Sequence, residues 1–178
     1  KRPYIILKWA QTRNGFFSPA DDTQFWITHQ YTKQLVHQWR SEEMAILVGT
    51  KTAEIDNPQL NSRLYSNKNP LRIIIDKDLK LSKDLHLFDK KQSTLVFNNK
   101  KSEKLDNLEY LRIDFNQKIL KQILDILYRK EINSLIVEGG SKTLEFFINE
   151  SLWDEARIIT GQKELVNGIK SPTILGAT

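Results

Sequence analysis

Apolar residues fall in short blocks along the chain, and their spacing separates strands from helices. Tyr4 to Ala10 reads as a strand, and strict alternation puts Lys8 on the face of Ile6 and Ala10, opposite Ile5, Leu7 and Trp9. Arg13-Asn14-Gly15 then predicts a tight turn. From Thr28, a candidate N-cap, the spacing of Leu35, Val36 and Trp39 predicts an amphipathic helix. A buried-type strand follows at Ala45 to Val48 and ends in a sharp turn at Gly49, with a short helix beyond it. Leu71 to Ile75 and Thr94 to Phe97 read as further interior strands, and the lysine- and aspartate-rich stretch between them as a solvated loop. Asn116 to Lys130 carries a helical stripe of Ile119, Leu120, Ile123, Leu124, Ile126 and Leu127, leading into a strand at Ser134 to Val137 that Gly139-Gly140 ends. Leu144, Phe146 and Phe147 mark another helix, and Ala156 to Thr160 another strand. Alternating strands and helices of these lengths predict an α/β sheet with helical crossovers.

Composition narrows the chemistry. A chain of 178 residues, 39% hydrophobic and 28% charged, suits one soluble domain. No apolar run approaches the roughly 20 residues that span a bilayer, so no membrane partner is expected; Lys1-Arg2-Pro3 runs directly into an apolar strand, so no secretory leader is expected either, and the cytoplasm is the simplest location. With no cysteine, the chain has no disulfides, thiolate nucleophiles or cysteine-ligated clusters. His29, His37 and His86 are scattered without ligand spacing, and no metal is expected. The net charge of +5 suits phosphorylated small molecules, nucleic acid or simply a lysine-rich surface.

Candidate chemistry concentrates at the ends of two predicted strands. Leu135 to Leu144 runs from strand through two glycines into a helix start rich in small polar residues. Such a start favours phosphate through close backbone approach, free amides and the positive end of the helix dipole, with Ser141 and Thr143 hydroxyls in reach. A tight turn with no ligand fits a lone Gly-Gly equally well. Glu138 sits where crevices of open α/β sheets lie, and is either a functional carboxylate or a helix cap. The second segment, Ala45 to Arg63, passes from strand through Gly49 and a short helix to an Asn57-Pro58 loop.

There the chain resembles the reductases of riboflavin biosynthesis. Thr52, Asp56, Pro58, Leu60 and Arg63 stand at the family's intervals after Val48-Gly49, and Leu7-Lys8-Trp9-Ala10, Trp26-Ile27-Thr28 and Arg40 match as well. The resemblance implies a dihydrofolate-reductase-like fold, a central mixed, mostly parallel sheet flanked by helices. It implies NADPH as cofactor and a phosphorylated ribosylaminopyrimidine as substrate, with the ribosyl group reduced to ribityl. Lys8, Gln24, Arg40, Leu60, Arg63 and Glu138 would face substrate, Arg40 and Arg63 clamping its phosphate. Ala10, Trp26, Thr52, Asp56 and the run Gly140, Ser141, Lys142, Thr143 and Leu144 would face NADPH, with Lys8, Asp56 and Glu138 the catalytic candidates. Lys77, Lys100 and Lys101 are candidate partners for the cofactor's 2′-phosphate.

A homodimer is also implied. The family's zinc deaminase signatures, His-x-Glu and Pro-Cys-x-x-Cys, do not occur here, so a deaminase is expected only upstream or as a separate protein. The family's final sheet strands are expected beyond Thr178. Thr12-Arg13-Asn14-Gly15 replaces the family's Ser-Leu-Asp-Gly, keeping the turn and changing its charge. The rivals are a dihydrofolate reductase or related pyrimidine reductase on the same scaffold, and a nucleotide- or nucleic-acid-binding module without catalysis.

Overall fold

The structure is a computed structural model that describes residues 1–21, 25, 27 and 30–174. In chain order its elements are β1 (Tyr4–Gln11), β2 (Phe16–Ser18), α1 (Gln30–Glu42), β3 (Ala45–Gly49), α2 (Thr50–Asp56), β4 (Leu71–Ile75), β5 (Thr94–Asn98), β6 (Glu103–Leu105), β7 (Leu108–Arg112), α3 (Ile119–Arg129), β8 (Ser134–Val137), α4 (Ser141–Asn149), β9 (Glu155–Thr160) and β10 (Ile169–Lys170). Eight strands form one sheet in the order β6-β7-β5-β4-β3-β8-β1-β9. Every pairing in it is parallel except β6 with β7, so the sheet is mixed and mostly parallel as expected. β2 and β10 form a separate antiparallel pair.

The sheet is covered on both faces, which explains why its strands read as continuous apolar runs. One cluster holds Ile5, Leu7, Ala45, Leu47, Leu135 and Val137 against Leu120, Ile123, Leu124 and Leu127 of α3 and Leu144 and Phe147 of α4. Alternation sends Ile6, Ile46, Val48 and Ile136 to the other face, where they pack with Ala53 of α2 and Trp39 of α1. Both faces of β1 are therefore core. Lys8 leaves on the Ile6 side, beyond the point where apolar neighbours end.

The stretch between β4 and β5 departs from the expected solvated loop. Leu81, Leu87 and Phe88 are buried in the second cluster, and the segment makes a short 3-10 turn at His86–Phe88. Arg72 holds it in place, bonding Thr94 Oγ1 (2.9 Å), the His86 and Gln92 carbonyls (2.8 and 2.7 Å) and Asp89 (3.0 Å). The hairpin of β6 and β7 and the small β2–β10 pair are further elements not expected from the sequence.

The order of the strands creates the functional end of the molecule. From β3 the chain moves outward through α2 to β4, whereas from β8 it passes through α4 and crosses β1 to β9. The connections thus leave adjacent strands in opposite directions, and such a switch point opens a crevice at the strands' carboxyl ends. Gly49 ends the first of those strands, and Gly139 lies two residues past the end of the second.

Candidate active site

Register aligns the charged groups of the crevice. Ile6 pairs with Ile136 across β1 and β8, so two residues further on Lys8 and Glu138 stand beside each other on the face covered by α1. From the last turn of α1, Arg40 reaches the same carboxylate. Its guanidinium grips Glu138 in a bidentate fork, Nε to Oε1 at 2.9 Å and Nη2 to Oε2 at 2.8 Å, while Lys8 Nζ lies 3.4 Å from Oε2. All three side chains are largely withdrawn from water. Glu138 is no helix cap, since α4 has no side-chain cap at its start.

These charges set one another. Burial pushes the Glu138 carboxyl up, but the charges and hydrogen bonds of Arg40 and Lys8 outweigh it and hold the pKa down at about 2. Burial lowers the Lys8 pKa, the pull of Glu138 opposes this, and the Arg40 charge lowers it further. Lys8 is thus an ammonium that gives up its proton more readily than usual. At the end of α2, partial burial raises the Asp56 carboxyl, although the residue still reaches solvent.

Arg40 and Arg63 do not form an open phosphate clamp in this structure. The Arg40 fork is occupied by Glu138, and its Nη1 donates to the Asn61 carbonyl at 3.3 Å. Exposed Arg63 bonds the Asn61 and Gln59 side chains at 2.6 and 3.2 Å. Both guanidiniums nonetheless gather at Asn61. Leu60, expected to face substrate, has its side chain buried in the second cluster, turns the loop with a φ of +51° and accepts from Gln92 at its carbonyl, which leaves its backbone amide as the group available to a ligand.

On the other side of the strand ends, two helix starts meet. A Cβ on Gly49 would lie 2.4 Å from Thr143 Oγ1, one on Gly139 2.7 Å from Thr143 Cβ, and one on Gly140 3.2 Å from Thr52 Oγ1. Glycine here permits close approach of α2 and α4. In α4 the Thr143 and Leu144 amides bond the Gly140 carbonyl, leaving the Ser141 and Lys142 amides at the helix start. A cleft of about 250 Å³ opens beside them, lined by Gly49, Thr50, Lys142 and Thr143 and walled by Ile75, Ile119 and Phe146. Leu144, expected at the cofactor, has its side chain in the core and its amide bonded to the Gly140 carbonyl. Half-buried Ala10 stands two residues beyond Lys8 on the same strand face. Gln24, Trp26 and Thr28, expected as substrate contact, cofactor contact and helix N-cap, lie outside the described residues.

A second cleft, of about 690 Å³, was not expected from the sequence. It lies beyond the ends of β4, β5 and β7 and is lined by Lys77, Asn99, Ser102, Arg112 and Asp114 to Asn116. Its polar residues are dispersed through loops that carry no motif. Of the three lysines singled out, only Lys77 lines it. Lys100 pairs with Asp78 and Lys101 with Glu103. Among the described residues, no helix is long and apolar enough to cross a membrane.

Strand order and switch-point crevice together define an α/β protein of the dihydrofolate-reductase-like class. The chain belongs to the RibD C-terminal domain family, matched over residues 3–165. It is 34% identical to the riboflavin biosynthesis protein RibD of Aquifex aeolicus, over 95% of this chain and 49% of that protein. It is 27% identical to the 2,5-diamino-6-ribosylamino-4(3H)-pyrimidinone 5′-phosphate reductase of Archaeoglobus fulgidus, over 97% of this chain and 86% of that protein. The crystal structure of the Thermotoga maritima deaminase/5-amino-6-(5-phosphoribosylamino)uracil reductase superposes with a TM-score of 0.82 at 29% identity, covering 99% of this chain and 51% of that one. The chain spans about half the length of the RibD relatives it matches.

Proposed function

We propose that this chain is an NADPH-dependent reductase of riboflavin biosynthesis that converts the ribosyl group of 5-amino-6-(5-phosphoribosylamino)uracil to ribityl. The observation that carries this reading is the Lys8–Glu138–Arg40 network beside the uncapped start of α4, at the switch point of the sheet. The Archaeoglobus relative reduces, by its name, a closely related phosphorylated pyrimidine.

The donor set fits a dinucleotide. Amides of Ser141 and Lys142 and the hydroxyls of Ser141, Thr143 and Thr52 suit a pyrophosphate, and the apolar wall of the smaller cleft suits a flat ring system. Ala10, Trp26, Asp56 and Gly140 complete the proposed cofactor contacts. When bound, the cofactor supplies hydride to the first carbon of the opened ribose.

The residues of the chain supply the rest. Lys8 Nζ donates a proton to the ribose ring oxygen as the carbon–oxygen bond breaks, a role suited by its lowered pKa. Glu138 remains ionised, orients Lys8 and offsets positive charge at the iminium. Asp56, with its raised pKa, holds a proton nearer neutrality than an ordinary carboxyl. Arg63 and Arg40, with Gln24, hold the phosphate end. Lys77, facing the larger cleft, reads the cofactor's 2′-phosphate.

NADPH oxidation with this substrate, and with its 2,5-diaminopyrimidinone counterpart, tests the reading. Turnover of either is expected, and NADPH binding without oxidation of either would overturn it. Lys77→Glu is expected to lower the NADPH over NADH preference at least about tenfold, or 1.4 kcal/mol, while Lys101→Glu leaves it unchanged. The same reading carries a cytoplasmic homodimer working with a zinc deaminase, fused or separate. Light scattering at twice the chain mass checks the dimer.

A further inference from the structure

His37 lies one helical turn before Arg40, on the same side of α1. It is 5% exposed, and its Nδ1 is a buried nitrogen with no hydrogen-bond partner among the described residues. A buried polar atom left without a partner costs roughly 1–3 kcal/mol, so folded proteins seldom keep one unless a ligand or water completes it.

The surroundings indicate what completes it. Arg40 and Arg63 are the cations nearest His37 in electrostatic effect, and both bond to Asn61, whose backbone also hydrogen-bonds the imidazole. Among the described residues, Glu138 is the anion whose charge opposes theirs at the imidazole. An anion received between the arginines would therefore lie against the imidazole as well. We propose that His37 is a third ligand of the substrate's phosphate, taking up a proton from solvent when the phosphate binds and donating it from Nδ1 to a phosphate oxygen. This rests on the reading that Arg40 and Arg63 receive that phosphate.

The charge balance favours such a switch. Burial first, then the charges of Arg40 and Arg63, hold the free imidazole's pKa down at about 4, so it is neutral at pH 7. A phosphate dianion reverses the field at the same place. The protonated ring then makes a charge-assisted bond, where the neutral ring presents a lone pair to an anion and repels it. Ligands without phosphate give no such uptake.

The test titrates the whole chain with ribose 5-phosphate and with ribose at pH 7.5 by calorimetry in buffers of different ionisation heat. Ribose 5-phosphate is expected to bind with proton uptake, ribose without it, and His37→Gln to abolish the uptake. In steady state, His37→Gln is expected to raise KM for the pyrimidine substrate about tenfold, with kcat within about twofold. Uptake that persists in the variant, or an unchanged KM, would overturn the proposal. In the unaltered chain, the nitrogen resonance assigned to His37 is expected to titrate at higher pH with ribose 5-phosphate present, and an unmoved titration would equally overturn it. Arg63→Ala separates the two ideas. If it weakens ribose 5-phosphate binding and His37→Gln does not, only the role of His37 fails. If neither does, the phosphate site itself fails.

Discussion

At the scale of single residues, Glu138 does two jobs that substitution can pull apart. Its carboxylate neutralises two buried cations and also positions Lys8. Removing one partner of a buried ion pair leaves the others uncompensated, typically at about 3–5 kcal/mol. Glu138→Gln is therefore expected to lower both activity and the urea midpoint. Lys8→Met removes the proposed proton donor but leaves the stronger Arg40–Glu138 fork intact. It is expected to retain most of the stability and NADPH binding while kcat falls by about a hundredfold or more. A Lys8→Met enzyme with wild-type kcat would remove Lys8 from the chemistry. In the sequence, alternation puts Lys8 on the Ile6 face and the family resemblance singles out both residues as candidates. The sequence could not pair them, since 130 residues separate them and only the register of β1 against β8 brings them together.

Elements show where periodicity suffices and where it does not. β4 and β8 match their predicted bounds, and β3 extends by Gly49 alone, because strands buried on both faces leave uninterrupted apolar runs in the sequence. The β6–β7 hairpin lacks that signal: all of β6 is exposed, and the turn depends on Asn107 at φ 52°. Leu81, Leu87 and Phe88 were hidden for a related reason, as short apolar groups broken up by lysines and aspartates into runs too short to mark an element. The Gly-Gly segment was legible as a close approach, but its partner was not. Thr143, expected as a ligand hydroxyl, lines the smaller cleft and at the same time sets its Oγ1 close against Gly49 from the facing helix. Ala at Gly49 would meet that one oxygen at 2.4 Å, although its φ of −83° suits any residue. Gly49→Ala is expected to destabilise by about 1–3 kcal/mol, and Thr143→Ala in the same chain to restore most of the loss. Gly139→Ala meets Thr143 Cβ itself at 2.7 Å, so the same second change is expected to relieve it only in part. Urea denaturation of the single and double variants checks the contrast.

For the molecule as a whole, the site's charges tie stability to pH with a definite sign. His37 and Glu138 both have pKa values lower in the fold than in the open chain, near 4 against 6.5 and near 2 against 4.5. The unfolded state therefore binds more protons, and stability falls as pH drops. The His37 contribution is complete above about pH 6.5 and disappears towards pH 4, and that of Glu138 is complete above about 4.5 and disappears towards 2. The Glu138 shift alone corresponds to roughly 3 kcal/mol. Asp56, raised in the fold, acts in the opposite sense, contributing more below its ordinary pKa than at neutrality, but it is exposed and its share is small. The urea midpoint is thus expected to fall in two stages, first between about pH 6.5 and 4 and then between about pH 4.5 and 2. His37→Gln removes the first stage and keeps the second. A midpoint level from pH 7 to 5 in the unaltered chain would mean that the free imidazole is not held neutral by its surroundings. Saturating ribose 5-phosphate changes the pattern, because the proposed ligand needs the protonated ring. Its stabilisation then strengthens as pH falls from 8 towards 6.5, the direction in which a bare arginine clamp would weaken as the phosphate itself gains a proton.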